Sequence, residues 1–219
     1  MGSPQYKFKN IYLFILVLAG WFALIAQLYL IIVNRVTAIP ETIMRYFSFF
    51  TILTNILVAV CCTILLLNKK KSLYNFFSNS KNITAITVYI TVVGFVYNLI
   101  LRFLWKPQGL QLLVDELLHT LIPALFILFW LLFIPKAGLK TKHILPGLIY
   151  PLVYVIYILI RGEFTGFYPY PFINVKTIGY NKVFLNSGIL VIVFAVFSLL
   201  FVVIDKYGKN SDHNLTKSN

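Results

Sequence analysis

Val114-Asp-Glu-Leu-Leu-His119-Thr-Leu-Ile-Pro123-Ala-Leu-Phe-Ile-Leu-Phe-Trp-Leu-Leu-Phe-Ile-Pro135 is the stretch that decides the fold. Its second half is an unbroken apolar run, while Asp115, Glu116, His119 and Thr120 crowd its first half. At 1.5 Å per residue such a stretch crosses ~30 Å of hydrocarbon. A polar group inside hydrocarbon costs free energy, so a cluster of them at one end of a span suggests a buried site opening to that side.

The same design recurs along the chain. Apolar runs near 11–33, 47–67, 83–105, 112–134, 144–160 and 183–204 predict six transmembrane helices. The fold expected is an all-α integral membrane protein, a six-helix bundle in one domain, with a polar tail over 205–219 that is disordered from Gly208. Pro146 and Pro151 blur the start of the fifth span. Composition agrees: 60% of the residues are hydrophobic and 11% charged, against roughly 25% charged in soluble domains. The first run is interrupted mainly by Gly20 and Gln27, is too long for the apolar core of a signal peptide, and has no small-residue cleavage site after it, so it reads as an anchor. The loops are short, and no internal repeat is present.

A net charge of +13 would suggest nucleic acid in a soluble protein. Six spans put the amino terminus, the 68–82 loop, the 135–143 loop and the tail on one side, with twelve basic residues against six or seven on the other. Lys69, Lys70 and Lys71 form the tightest group. The positive-inside rule then places both termini in the cytoplasm, and the basic excess reads as topology and contact with anionic lipid headgroups, not DNA binding. The polar ends of the spans therefore face outward.

The second span enters from that side as Arg45-Tyr-Phe-Ser-Phe-Phe-Thr51-Ile-Leu-Thr54-Asn55. Thr51, Thr54 and Asn55 are spaced i, i+3, i+4 and share one helix face. Such residues commonly bond their own i−4 carbonyls or join helices, and Asn55 beside them points further, to a site. In the fourth span Asp115 and Glu116 precede His119 by four and three residues, so either can hold the imidazole. A histidine bonded to a carboxylate at one nitrogen accepts a proton at the other, as a general base must. On the third span Asn98 and Arg102 are i, i+4, and Arg102 is expected to pair with Asp115 in a structural ion cluster. His143 and His213 read as solvated residues.

The last outer loop, Arg161-Gly-Glu-Phe-Thr-Gly-Phe-Tyr-Pro-Tyr170-Pro-Phe-Ile-Asn174, reads equally as an interfacial aromatic anchor or as a rim over the cavity. Cys61 and Cys62 are adjacent, diverge by about 100°, and read as packing residues. No metal site and no cofactor are expected: the three histidines are scattered, and phosphate-loop and nucleophile-elbow motifs are absent.

Phe49-Phe-Thr-Ile-Leu-Thr-Asn55, Asp115-Glu-Leu-Leu-His-Thr-Leu-Ile-Pro123 and Gly166-Phe-Tyr-Pro-Tyr-Pro-Phe172 resemble a group of bacterial six-span membrane proteins. That group looks related to the androgen-induced and androgen-dependent membrane threonine hydrolases, which cleave fatty acid esters of hydroxy fatty acids. The resemblance implies a multi-pass protein of a bacterial plasma membrane whose partner is a membrane lipid or fatty-acyl ester. It matches the nucleophile to Thr51, with Thr54 as the nearby alternative, and the base to His119. Asp115 and Glu116 are departures from the eukaryotic pattern. Thr54, Asn55, Asn98, Arg102, Asp115, Glu116 and Tyr170 are supporting or substrate-binding candidates, with Asn55, Asn98 or Tyr97 as donors to the oxyanion. Three other readings compete: an acyltransferase using the same acyl-enzyme, a transporter, and a scaffold locked by the Arg102–Asp115 pair. The transporter reading sits poorly with the nearly pure apolar inner halves of the helices.

Overall fold

The structure is a computed structural model that describes residues 4–67, 71–104, 106–136 and 138–217, with the backbone alone for Lys71 and residues 209–217. Lys69 and Lys70, the heart of the basic group, and Trp105, the expected end of the third span, lie outside the described residues. No strand is present among the described residues, and six helices are long and apolar enough to cross a membrane. The protein is therefore all-α, with six candidate spans as expected from the apolar runs. Its contacts divide it into two compact units, Met1–Pro135 and Lys136–Asn219.

The first unit holds α1 (Pro4–Val33), α2 (Ile39–Tyr46), α3 (Phe50–Leu67), α4 (Lys71–Ser78), α5 (Ser80–Leu99), α6 (Gly109–Glu116) and α7 (Ile122–Phe133). The second span begins at Phe50, later than expected, because Phe47, Ser48 and Phe49 form a turn after the amphipathic α2. α5 ends at Leu99, where Ile100 leaves helical geometry, and Leu101–Phe103 continues as one 3₁₀ turn. α1 packs on α3 and α7, and α5 packs on α3 and α7, so four spans close a ring. α1 and α3 meet where Gly20 faces Ala59, whose Cβ would lie 3.2 Å from a methyl at residue 20.

Side chains then lock the ring. Tyr12 donates to Leu125 O at 2.8 Å, Trp21 Nε1 to Thr63 Oγ1 at 3.1 Å, and Trp130 Nε1 to Thr84 Oγ1 at 2.7 Å. Leu13, Leu16, Val58, Ile83, Ile90, Phe126, Phe129 and Trp130 are fully buried between the helices. Outward, α1 shows Phe14, Leu18, Phe22 and Ile25, all exposed, the surface expected of a helix facing lipid. α5 is the opposite case. It is the least apolar of the six spans and the most enclosed, with 67% of its central window buried.

The second unit holds α8 (Ile144–Gly147), α9 (Ile149–Thr165) and α10 (Val175–Lys217). Pro146 and Pro151 sit in the first turns of α8 and α9, where a missing N–H is tolerated, so the fifth span is split at Leu148 and not shortened. α10 kinks at Gly179, whose φ of 75° favours glycine. It starts earlier than expected and continues to Lys217, so the tail read as disordered is helical that far; no proline interrupts it. The 166–174 segment folds back on its own unit. Tyr168 lies on Gly162, where an added Cβ would come within 2.1 Å of Tyr168 Cε1, and Asn186 Nδ2 donates to Phe172 O at 2.8 Å.

Candidate functional site

The site is built on an irregularity in the fourth span. Between α6 and α7, Leu117–Leu121 winds as a π turn, closed by Ile122 N–H on Leu117 O. Single π turns cluster at functional sites because they turn a side chain out of the regular helical register. His119 is the side chain at the centre of this one.

Its ring is held at one edge and on one face. Nδ1 lies 2.9 Å from Asp115 O and 3.3 Å from Asp115 Oδ1. A carbonyl oxygen only accepts, so Nδ1 carries the proton, and in the neutral ring Nε2 keeps the lone pair. Tyr97 stacks on the imidazole with centroids 4.0 Å apart and planes 15° from parallel. The Tyr97 hydroxyl donates to Asp115 Oδ2 at 2.5 Å. Tyr97 and Asp115 are both buried, so one carboxylate joins a phenol and an imidazole in low dielectric. No described residue hydrogen-bonds Nε2. Asp115–His119 thus has the form of a base with its orienting carboxylate, and its basic nitrogen is open.

Arg102 corrects an expectation. Its Nη2 donates to Glu116 Oε1, and to Thr120 Oγ1 at 3.2 Å, so the ion pair runs to Glu116 and not to Asp115. The reason is rotational. Adjacent helical positions diverge by about 100°, so burying Asp115 against Tyr97 turns Glu116 toward the rim, where the 3₁₀ turn presents Arg102. The side chains of this pair are 39% and 37% exposed, and exposed pairs contribute ~0–1 kcal/mol. Arg102→Ala is therefore expected to lower the melting temperature of the purified protein by no more than a few degrees. A collapse in folded yield would instead make the pair a main support of the fold.

From α3, Thr51, Thr54 and Asn55 are all buried on one face, as their spacing predicts. Asn55 Nδ2 donates to Thr51 O at 2.9 Å and to Leu118 O at 3.1 Å. One amide nitrogen thereby bridges the backbone of Thr51 to the residue before His119, although the second and fourth spans stand diagonally in the ring. Asn55 Oδ1 is buried without a donor. Thr51 makes no hydrogen bond to His119 Nε2 in this state. Asn98 Nδ2 donates to Gly94 O at 2.8 Å, to His119 O at 3.3 Å and, at 3.5 Å, to Thr120 Oγ1.

These bonds correct the expected oxyanion donors. Both amide protons of Asn55 and of Asn98 are taken by backbone carbonyls, and the single proton of Tyr97 goes to Asp115. Tyr170 belongs to the second unit, where it stacks on Phe172 at 5.2 Å. The role of Tyr97 as the partner of both Asp115 and His119 is not legible in sequence, where it is one more tyrosine in an apolar span. Among the described residues no group of histidine, cysteine, aspartate and glutamate is arranged to hold a metal ion.

No family model, curated protein or solved structure matches the chain, so the family resemblance rests on its three short segments.

Proposed function

We propose that the protein is an intramembrane lipid ester hydrolase acting on fatty-acyl esters, with a threonine nucleophile and His119 as its base. One observation carries this reading: the Asp115 backbone oxygen holds His119 Nδ1 at 2.9 Å with the buried Asp115 carboxylate 3.3 Å from the same nitrogen, and the Nε2 lone pair is free. The chemistry follows from it. As the threonine oxygen attacks the ester carbonyl carbon, Nε2 takes the hydroxyl proton. The tetrahedral adduct then collapses, its carbon–oxygen bond to the alcohol breaks, and the alcohol leaves with the proton from His119. Water, activated by the same nitrogen, cleaves the acyl-threonine and regenerates the hydroxyl.

Thr51 is the better nucleophile on physical grounds. It is the second residue of α3, in the first turn, where the helix dipole favours developing negative charge. Thr54 lies about one turn deeper. The basic asymmetry supports cytoplasmic termini and a site in the outer leaflet of the plasma membrane, with anionic headgroups against the cytoplasmic loops.

Treating intact cells with a charged, membrane-impermeant fluorophosphonate tests both parts. The expected result is one modified residue, Thr51, labelled without permeabilisation. Labelling only after permeabilisation would reverse the orientation, and absence of labelling in permeabilised cells as well would refute the hydrolase reading.

A further inference from the structure

Pro123 removes one backbone donor from the turn that carries His119. It has no N–H, so residue 123 bonds neither His119 O, four residues back, nor Leu118 O, five back. Asparagines from two other spans donate to both of these carbonyls. Asn55 donates to Leu118 O at 3.1 Å, and Asn98 to His119 O at 3.3 Å. The close approach this needs is provided by Gly94: a Cβ there would stand 3.1 Å from His119 O and 3.2 Å from Pro123 Cβ. Proline, glycine and two asparagines thus converge on the one turn that carries His119.

We infer that Asn55 and Asn98 are positioning residues for His119: they hold the π turn that Pro123 imposes, and the turn gives the imidazole its heading onto Tyr97 and Asp115. Adding or removing one residue of winding rotates the neighbouring positions by about 100°. That rotation is enough to carry the ring off its Tyr97 stack and its bond to Asp115. Asparagines that merely join helices would stabilise the ring of spans without being tied to the π register. The kinetic consequence rests on His119 acting as the base; the geometric one does not.

Pro123→Ala separates the two roles, because it restores an N–H and lets the turn wind as α-helix. Removing an interior proline favours the helix, so the melting temperature should hold or rise. On a fatty-acyl p-nitrophenyl ester kcat should nevertheless fall about 100-fold, the scale of a small misplacement of a catalytic group, with KM within about threefold. Asn98→Leu should show the same kcat loss together with a lower melting temperature. In the double variant stability should return and kcat should not, since alanine N–H can then satisfy His119 O.

A readout independent of turnover is the imidazole NMR signal of His119 in protein labelled at histidine. The Tyr97 ring face displaces it from the signals of His143 and His213. Pro123→Ala should move it back toward them. An unmoved His119 signal in Pro123→Ala overturns the inference, as does full kcat in that variant. A wild-type protein that hydrolyses no ester would end the hydrolase reading, while the NMR signal would still decide the role of the turn.

Discussion

Replacing His119 by alanine is expected to lower hydrolysis of fatty-acyl esters by at least about 10³-fold, in line with loss of a general base. Thr51→Ala should match it, since a nucleophile and its base act as a unit. Combining the two should cost little beyond either alone. The fold should survive both. His119→Ala gives up the stack on Tyr97, about 0.5–1.5 kcal/mol for an aromatic pair, and Thr51→Ala removes a single hydroxyl. Folded yield in detergent and fluorophosphonate labelling measure the two consequences separately. Thr54→Ala should be far milder; loss of labelling there with full labelling in Thr51→Ala would move the nucleophile three residues along α3. Undiminished hydrolysis in both threonine variants would leave the scaffold reading ahead.

The second large effect is expected at Asp115. Its carboxylate accepts from Tyr97 and faces His119 Nδ1, but its own backbone oxygen also holds that nitrogen, at 2.9 Å. The backbone bond persists whatever the side chain is, so the tautomer of His119 is preserved in Asp115→Asn. What is lost is the negative charge that stabilises the imidazolium formed as the threonine attacks. In the Ser-His-Asp triad of the chymotrypsin type, the comparable change costs about 10⁴-fold because the tautomer is also lost. Here a smaller loss, about 10²-fold in kcat, is expected. Asp115→Ala should add a stability penalty of ~1–3 kcal/mol, because the buried Tyr97 hydroxyl is left without its acceptor. Comparing kcat and melting temperature in the two variants checks this division. Normal kcat in Asp115→Asn would reduce Asp115 to a structural role.

The spans are legible in the sequence because hydrocarbon imposes one demand on every residue facing it, and a run of twenty apolar residues meets that demand in few ways. Their ends are less legible. Phe47–Phe49 and Leu101–Phe103 each place one polar residue between two apolar ones, and they leave the α-helix through tighter local turns, Ser48 N–H on Arg45 O and Leu104 N–H on Leu101 O. The site divides in the same way. That Asn55 meets the turn carrying His119 follows from depth and face. Which acid Arg102 takes does not, since Asp115 and Glu116 are one residue apart and only the rotation of α6 against α5 separates them. The oxyanion donors fail for a related reason: in sequence an asparagine is a donor to spare, whereas here each gives one proton to its own helix and the other to the turn that carries His119.

The enclosure of α5 has a consequence for how the chain enters a membrane. Thr84, Thr87, Thr91, Tyr97 and Asn98 all lie on this least apolar span, and they spend their hydrogen bonds on its own backbone and on the fourth span. When α5 leaves the ribosome and reaches the translocon, α6 and α7 are still inside the ribosomal exit tunnel. The phenol of Tyr97 then has no Asp115, and Thr84 has no Trp130. Partition of this segment into lipid on its own is the least favourable of the six. α5 therefore depends on α1 and α3 to hold it at the lateral gate until the fourth span arrives. A nascent chain arrested with α5 just outside the exit tunnel should show it crosslinked to the translocon, and one arrested after Pro135 has also cleared the tunnel should not.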